Sequence, residues 1–287
     1  MLPRRAWPLR LLDALLFSSV WLAGAAGAQT AATLRLWPGA DTNPVGWRVA
    51  VLVFVATLLT YNLDAVLPFK YRQPAGTSGR KAWQQRHRRG LLLLAGVAAL
   101  VGAYLLLVDG WTHFLPVLLP LAGLALGYSW PLLPWHGRRH AMREIPLLKV
   151  FLIAGVWAIV TVCLPALALR QPLASATGLL AQRFCLVVAL AIVFDIRDFS
   201  RDHAAALRTF PTVLGVGGAK AVSLAFLVAS VVLGLLREAP PLVVLPPIVV
   251  AATVVLLARE TRGDYFFALV TDGVLLVQAL TIFALGR

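Results

Sequence analysis

Long apolar runs, each separated from the next by a short polar segment, dominate the pattern of this 287-residue chain. A helix needs about 20 mostly apolar residues to cross a bilayer, and nine runs approach or exceed that length. Turn-forming or charged stretches such as PGADTNP, VDGW and REAPP separate them. The pattern therefore predicts an all-α integral membrane fold with about nine transmembrane helices. The predicted helices cover residues 12–34, 44–61, 90–108, 112–133, 147–168, 176–194, 216–236, 241–258 and 265–285.

Composition agrees with this pattern, because 60% of the residues are hydrophobic and only 13% are charged. A soluble domain of this length could not keep so much apolar surface away from water. No separate soluble domain or linker is evident, so we expect a single polytopic membrane domain over residues 1–287. The two cysteines, Cys163 and Cys185, each lie inside an apolar run and are interpreted as small buried side chains.

The basic residues indicate an orientation in the membrane. The net charge of +14 would suggest a nucleic-acid partner in a soluble protein. With the N-terminus inside, however, 20 of the 26 Lys and Arg residues fall in inside segments, which the positive-inside rule explains. We therefore expect no nucleic-acid partner, an N-terminus in the cytoplasm, and a location in the cytoplasmic membrane of a bacterium.

The first apolar run has a second interpretation. MLPRRAWPLR followed by ALLFSSVWLAGAAGA resembles a signal peptide, with a basic start, an apolar stretch and small residues near a possible cleavage point. Asp13 interrupts the start, and weakly apolar sequence continues through Ala31 and Ala32, which favours a first transmembrane helix. The predicted sides of the later loops are the same under either interpretation.

The acidic residues are concentrated where one apolar run ends, in the segment FDIRDFSRD at residues 194–202. Asp195, Asp198 and Asp202 are spaced i, i+3 and i+7, so a continuing helix would place all three carboxylates on one face. Like charges in a partly buried place repel one another, and Mg²⁺ compensates them with oxygen ligands while it keeps positions open for phosphate. The spacing therefore favours a magnesium site.

A simpler interpretation of the same segment is a solvated helix end in which arginines pair with the aspartates. Arg197, Arg201 and Arg208 lie near enough in the chain to do so, or to hold an anionic ligand. The concentration of three of the twelve acids within eight residues, at helical spacing, favours the metal site.

The stretch DIRDFSRDHAAALRTFPTVLG, residues 195–215, resembles the second aspartate-rich motif of the UbiA superfamily of intramembrane prenyltransferases. The resemblance falls on the three aspartates and on Arg208, Thr209, Pro211 and Gly215, with Phe210 in place of a leucine. LGYSWPLLP at 126–134 is similar to the Tyr-Ser-Pro segment of that family and marks Tyr128. IPLLKVFLIAGVWA at 145–158 is similar to the segment that follows and marks Lys149.

The resemblance implies a bundle of about nine helices around a central lipid-facing cavity. It also implies Mg²⁺-assisted transfer of a prenyl group from a prenyl diphosphate to a lipophilic acceptor, beside membrane lipid. Asp195, Asp198 and Asp202 would bind metal, with Asp198 and Asp202 also counted as catalytic. Lys149 would be catalytic and grip diphosphate, while Arg208 and Tyr128 would bind substrate.

The first aspartate-rich motif of that family is depleted in this chain. The corresponding stretch, TYNLDAVLPFKYR at residues 60–72, retains at most Asn62 for substrate and Asp64 for metal, and it places Lys70 and Arg72 nearby. Three outcomes follow. The enzyme works with one metal, with Lys70 and Arg72 supplying the remaining positive charge. It uses a different phosphorylated substrate. Or the chain is a non-catalytic lipid-binding protein or partner subunit.

Four other polar residues have a possible role, and two of them, Arg80 and Asp272, have two interpretations each. Arg80 either binds phosphate or contributes to the basic inside loop. Asp272, inside the ninth predicted helix, either faces the cavity or makes a hydrogen bond between helices. For Asp264 we expect a role at the start of a helix, and for Asp13 an ordinary buried hydrogen bond.

Overall fold

The computed structural model describes residues 7–37, 44–66, 79–108, 110, 114–129, 133–135, 138–140, 142, 145 and 147–286. Helices account for most of this part of the chain. They are α1 (Trp7–Phe17), α2 (Val20–Arg35), α3 (Pro44–Val66), α4 (Gly79–Arg86), α5 (Arg88–Val108), α6 (Leu115–Ser129), α7 (Leu148–Ala158), α8 (Leu164–Ala168), α9 (Leu173–Arg197), α10 (Phe199–Ala204), α11 (Phe210–Leu236), α12 (Pro241–Leu257) and α13 (Asp272–Leu285).

Three short features complete the description. A turn of π-helix, Ile159–Cys163, joins α7 to α8, and another, Phe266–Thr271, leads into α13. Between α6 and α7, the strands β1 (Leu133–Trp135) and β2 (Arg138–His140) pair in antiparallel register, with Pro134 opposite Arg139. This small hairpin was not predicted, because its two three-residue strands are too short to show an alternating pattern.

Within the described residues, six helical segments are long and apolar enough to cross a membrane. The bent pair formed by α1 and α2 would make a seventh, and two shorter apolar helices, Leu115–Leu124 and Pro241–Leu257, remain. Each predicted run thus corresponds to a helix, and the all-α fold class is confirmed. The exact number of nine crossings stays a prediction, because two of the helices are shorter than a bilayer requires.

The first predicted helix, 12–34, is broken. Ser19 adopts a left-handed backbone conformation (φ 62°), and α1 and α2 meet there at an angle of 58°. Left-handed φ ends regular helical hydrogen bonding for an L residue. The structure therefore corrects the continuous run expected from hydropathy, which registers the apolar residues on both sides of Ser19 but not its conformation.

Helix α9 is the centre of the fold. It packs most extensively against α11 and also against α7. Leu186, Val188, Ile192 and Ile196 on α9 are completely buried, which covers several faces of the helix. A helix surrounded in this way has little freedom to rotate or slide. The position of the aspartates at its end is therefore set by the whole bundle.

The contact between α9 and α11 is close because small residues line it. Ser230 and Ser223 donate hydroxyl hydrogen bonds to the carbonyls of Gln182 (3.0 Å) and Ala189 (2.9 Å) on α9. At Gly234, an added Cβ atom would lie 2.7 Å from Gln182 Nε2 and 3.0 Å from both methyl groups of Val244. Small residues let helix backbones approach where lipid supplies no hydrophobic driving force.

Replacing Gly234 by alanine should destabilise the protein by about 1–3 kcal/mol, because the new methyl group meets packed atoms on two neighbouring helices. The matched control is Gly217→Ala on the same helix, where no heavy atom lies within 4 Å of an added Cβ. That change should be neutral or stabilise by up to about 1 kcal/mol. Thermal unfolding of both variants in one detergent measures the difference, and equal melting temperatures would contradict this account of the interface.

Candidate aspartate site

Helix α9 ends at Arg197, and the chain turns at Asp198 (φ −93°, ψ 11°) before α10 begins. The expectation of one continuous helix through Asp202 is therefore corrected. Backbone hydrogen bonding nevertheless continues across the junction, from Asp198 N to Phe194 O (3.2 Å) and from Asp202 N to Asp198 O (2.8 Å). Because of these bonds, the three predicted aspartates remain close together even though the helix is broken.

Asp195 is buried, with only 1% of its surface exposed, and forms an ion pair with Lys149. Lys149 Nζ lies 2.7 Å from Asp195 Oδ1, so the pair joins α7 to α9. The start of α7 is fixed by Leu147, whose backbone is left-handed (φ 59°) and whose N–H donates to the carbonyl of Arg208 (3.0 Å). The loop after α10 thereby holds the first turn of α7, and with it Lys149, beside the aspartates.

Asp198 is paired with its neighbour Arg197. The guanidinium donates from Nε to Oδ1 (3.1 Å) and from Nη2 to Oδ2 (2.9 Å), which is a bidentate arrangement. The same guanidinium lies 5.2 Å from the ring centroid of Phe194 and 5.6 Å from that of Phe267. Burial raises the pKa of Asp198, but the hydrogen bonds and charge of Arg197 lower it further, so the pKa lies below its ordinary value.

Asp202 differs from the other two aspartates. It is 3% exposed, and its Oδ2 atom is buried without a hydrogen-bond partner among the described residues. Burial raises the pKa of Asp202, and the nearby negative charges of Asp198 and Asp195 add to this effect, while Lys149 opposes it. A buried carboxylate oxygen without a partner is costly unless a cation or a proton satisfies it.

Helix α4 brings a further arginine to the same end of the bundle. The backbone N–H of Arg80 donates to Asp264 Oδ2 (3.0 Å), and its Nη2 donates to Ser19 Oγ (3.3 Å). The charges of Asp264, Asp272 and Arg197 all act on the Arg80 guanidinium. Burial lowers the pKa of Arg80, as does the positive charge of Arg197, while the two acids raise it.

Helix α4 is anchored by more than this one residue. The Trp83 ring packs edge-on against Phe17, with centroids 6.1 Å apart, and Gln84 Nε2 donates to the Phe17 carbonyl (3.0 Å). Tyr265 stacks on the other side of Phe17 and donates its hydroxyl to Asp13. The break between α1 and α2 thus provides the surface on which α4 and the start of the last helix meet.

Asp264 and Asp272 lie near this site, although no sequence pattern groups them with the α9 aspartates. Asp264 lies at the start of a helical segment, as expected, and it also accepts a hydrogen bond from Arg80 N at the start of α4, a helix far away in the chain. Asp272, 8% exposed, acts electrostatically on both Arg80 and Arg197. An acid within an apolar run was the signal that could have found Asp272.

The Asn62 side chain is buried and forms hydrogen bonds that support the fold. It is 1% exposed, and its amide donates to the carbonyls of Ser18 (2.9 Å) and Leu58 (2.8 Å). Both amide hydrogens are therefore used on the backbone, one of them at the break between α1 and α2. Asp64 is half-buried near the end of α3. The predicted roles of Asn62 in substrate binding and of Asp64 in metal binding stay predictions.

Arg208 contributes its backbone rather than its side chain, which is exposed. The neighbouring Thr209 and Thr212 form a capping box at the start of α11, with Thr209 N donating to Thr212 Oγ1 (2.7 Å). Gly215 has φ 72°, which L residues rarely adopt, and it marks a kink in α11. Much of the stretch 208–215 therefore has a local structural purpose.

Three further predicted residues cannot be placed in the site. Lys70 and Arg72 lie outside the described residues. Tyr128 belongs to helix α6, but its side chain is also outside the described part. Within the described ranges, no three His, Cys, Asp or Glu side chains form a group that could hold a metal ion.

Comparisons with known proteins identify the fold. No protein-family model matches the chain, and no curated protein matches it in sequence. The apo structure of a UbiA homolog from Aeropyrum pernix K1 matches with a TM-score of 0.58 and 18% identity, over 92% of this chain and 95% of that one. A structure of digeranylgeranylglyceryl phosphate synthase in membranes matches with a TM-score of 0.57 and 12% identity, over 96% and 98%.

The chain has the UbiA fold. Both alignments cover nearly the whole of each protein, so the resemblance seen at residues 195–215 extends to the complete helical arrangement. The long apolar helices and these two membrane-protein neighbours together make the chain an integral membrane protein. The identities of 18% and 12% establish the fold, and the activity is a separate question.

Replacing Asn62 by alanine should destabilise the UbiA-fold bundle by about 1–3 kcal/mol, because the Ser18 carbonyl at the break loses its buried donor. Thr60→Ala on the same helix is the matched control, since the Thr60 hydroxyl bonds only to the Ala56 carbonyl at an exposed position. That variant should change stability by less than about 0.5 kcal/mol. Thermal unfolding compares the two, and an unchanged Asn62→Ala protein would show that the amide is not a brace.

Replacing Lys149 by methionine should destabilise the protein by about 3 kcal/mol, because Asp195 then remains as a buried charge without its cation. The double variant Lys149→Met with Asp195→Asn should recover most of this loss. A double-mutant cycle based on chemical unfolding measures the coupling, which we expect at about 1–3 kcal/mol. Additive effects of the two single changes would refute an energetically important pair.

Proposed function

We propose that this protein is a prenyltransferase, which moves a prenyl group from a prenyl diphosphate to a lipophilic acceptor. The observation that carries the proposal is the charged cluster at the end of α9, in a chain with the UbiA fold. A diphosphate leaving group requires positive charge that is fixed before the reaction, and an isoprenoid tail requires apolar surroundings. Helices that span a membrane beside a cluster of Lys, Arg and Asp residues offer both.

The formal charge of the cluster supports a site for one divalent cation. Five carboxylates meet three cations there: Asp195, Asp198, Asp202, Asp264 and Asp272 against Lys149, Arg80 and Arg197. If every group is counted in its charged form, the cluster has a formal excess of two negative charges, apart from the exposed Arg201, whose charge water screens. This balance favours the one-metal interpretation of the depleted first motif.

The carboxylates at the end of α9 could supply one or two of the ligands of a Mg²⁺ ion. Mg²⁺ commonly binds one or two carboxylates and completes its coordination with water and substrate phosphate, so a group of three protein ligands is not required. Asp202, with its unpartnered Oδ2, and Asp198 are the residues that we propose to hold it. When bound, Mg²⁺ would act as a Lewis acid that stabilises negative charge on the leaving diphosphate.

The protein's own residues position and neutralise the substrate in this proposal. Lys149, held at the mouth of the cluster by Asp195, offers its positive charge to diphosphate oxygens. Asp195 keeps Lys149 oriented, so we assign it a positioning role in addition to the predicted metal contact. Arg197, clamped by Asp198 and two phenyl rings, and Arg80 on α4 add fixed positive charge. Lys70, Arg72 and Arg208 remain candidates for the same task.

The lipophilic acceptor and the prenyl tail are proposed to share the central cavity predicted between the helices. Exclusion of water there would keep the allylic carbocation from being trapped before the acceptor attacks it. Transfer breaks the bond from allylic carbon to oxygen and forms a bond from the same carbon to the acceptor, while diphosphate leaves and the acceptor releases a proton. A lipid-binding protein without catalysis is the competing function, since the first motif is depleted.

The experiment is incubation of the purified protein in lipid vesicles with labelled prenyl diphosphates, Mg²⁺ and a membrane lipid extract. Labelled lipid product should form, and Asp202→Asn and Asp198→Asn should each reduce its rate by at least about 100-fold, because each removes a carboxylate that is proposed to hold the Mg²⁺ at the diphosphate. Both changes preserve side-chain size. Glu238→Gln, an exposed acid remote in sequence from the cluster, is the control and should leave the rate unchanged.

Undiminished transfer by Asp202→Asn would refute the site. If no prenyl diphosphate is consumed by the wild-type protein with any acceptor fraction, the catalytic proposal fails and the lipid-binding function is favoured. Omission of Mg²⁺ with added chelator separates the metal proposal from the rest, because transfer that continues without the metal would exclude its participation.

A further inference from the structure

The junction between α4 and α5 forms an open, basic cleft on the surface of the bundle. Residues 85–90 line a cavity of about 610 Å³, a size typical of ligand pockets. Arg86, Arg88 and Arg89 are part of this lining, with His87 between them. Arg86 and Arg89 are exposed, and Arg88 is half-buried. None of these residues belongs to the aspartate cluster, and the proposed transfer reaction does not use them.

The positive charge of the cleft is not balanced by its own part of the chain. Between Asp64 and Asp109 the sequence contains seven Lys and Arg residues and no acid. Asp264, which comes from a distant part of the chain, contacts α4 at its opposite end, through the backbone of Arg80. Three guanidinium groups in four consecutive positions repel one another, so an anion is the partner that complements this cleft.

Contacts on the inner side of α4 keep the cleft in place. The Trp83 ring packs against Phe17 and also stacks on the His87 ring, with centroids 4.1 Å apart and an angle of 22° between the planes. His87 Nδ1 donates to the Trp83 carbonyl (2.9 Å), since a carbonyl can only accept. Gln84 ties the same helix to the Phe17 carbonyl. The cations are therefore presented by an anchored junction, which lowers the entropic cost of binding.

An exposed apolar stripe begins where the cleft ends. Arg89 lies one helical turn before Leu93, and Val97 and Leu100 continue the same face of α5. These three apolar side chains are between 58% and 74% exposed. Helix α5 is long and apolar enough to cross the membrane, so its exposed side chains face lipid tails. Arg89 is thus at the boundary where the tails end and the phospholipid headgroups begin.

We propose that the cleft binds the phosphate of an anionic membrane phospholipid, whose acyl chains lie along the stripe formed by Leu93, Val97 and Leu100. Guanidinium groups suit phosphate because their parallel N–H donors match its oxygens. A soluble phosphate compound would leave the adjoining stripe unused. A second copy of the chain fits poorly, because a twofold interface centred on this cleft would bring arginines against arginines.

The test uses the full-length protein in a neutral detergent, with dioctanoyl phosphatidylglycerol as the anionic probe. Dioctanoyl phosphatidylcholine carries the same phosphodiester, but its choline cancels the charge, and glycerol phosphate is the headgroup without acyl chains. Native mass spectrometry counts the bound molecules, and the melting temperature supplies a second readout, since binding to the folded state raises it. Phosphatidylglycerol should bind saturably and at least about 10-fold more tightly than either comparison compound.

The decisive variant combines Arg86→Gln with Arg89→Gln, which removes two charges from the cleft. It should weaken the binding of phosphatidylglycerol by at least about 10-fold, since each basic residue near a membrane surface contributes about 1 kcal/mol to anionic lipid binding. Arg10→Gln combined with Arg259→Gln is the matched control, because it removes the same charge from other exposed positions. That control should bind within about 2-fold of the wild type, since charges far from the site are screened.

Each alternative has its own result in this experiment. If phosphatidylcholine binds as tightly as phosphatidylglycerol, or if nothing binds, the anionic site is refuted. Equal weakening in both double variants would attribute binding to overall charge rather than to the cleft. Glycerol phosphate that binds as tightly as the lipid would exclude a role for the stripe. A wild-type dimer that the cleft variant dissociates would make the cleft an interface between copies and overturn the lipid proposal.

Discussion

The burial of carboxylates at the end of α9 is the constraint on which the rest of this structure depends. Asp195 is almost completely enclosed, and an enclosed carboxylate is costly unless a cation or a proton compensates its charge. Lys149 provides that contact at 2.7 Å, which fixes α7 against α9. The left-handed Leu147 and its hydrogen bond to Arg208 follow from the same requirement, because they bring the first turn of α7 to the aspartates.

The same need for compensation explains why distant parts of the chain meet at this end. Arg80 comes from a short helix after α3, and Asp264 and Asp272 come from the last part of the chain, yet their charges act on one another and on Arg197. The chain bends at Ser19, where Asn62 donates to the Ser18 carbonyl, and α4 packs against Phe17 beside this bend.

The sequence predicted the fold class and the helices well, for a physical reason. A membrane-spanning helix must be apolar over its whole length, so hydropathy reports it directly. The bend at Ser19 and the hairpin at Leu133–His140 depend on backbone conformation and on short pairing, to which hydropathy is insensitive. Within the site, the spacing of Asp195, Asp198 and Asp202 predicted their proximity, because it concerns one helix end. The partnership of Arg80 with Asp264 joins residues 184 positions apart, and no local pattern encodes it.

Arg183 and Arg197 lie on the same helix but have different hydrogen-bond partners. Both are arginines on α9, but Arg197 has a carboxylate on its Nε and Nη2 edge and Arg183 has none in the described structure. Sequence inspection treats them alike, as basic residues near or within an apolar run. Only the three-dimensional arrangement separates an arginine that is paired with a carboxylate from one whose Nε and Nη2 atoms are buried without a hydrogen-bond partner among the described residues.

The motif residues around the site divide into scaffold and chemistry. Thr209 caps α11, Gly215 supplies a left-handed backbone position, and Arg208 offers its carbonyl to Leu147. The resemblance of these positions to the UbiA motif is therefore explained by their roles in the fold. Asp198 and Asp202 differ from these positions, because Asp198 pairs with Arg197 and Asp202 Oδ2 has no hydrogen-bond partner among the described residues. Asn62 belongs to the first group, since its amide braces the break at Ser19. The first motif thus keeps a residue that the fold needs, Asn62, while its acids are depleted, so a chain can retain the UbiA fold without the complete motif.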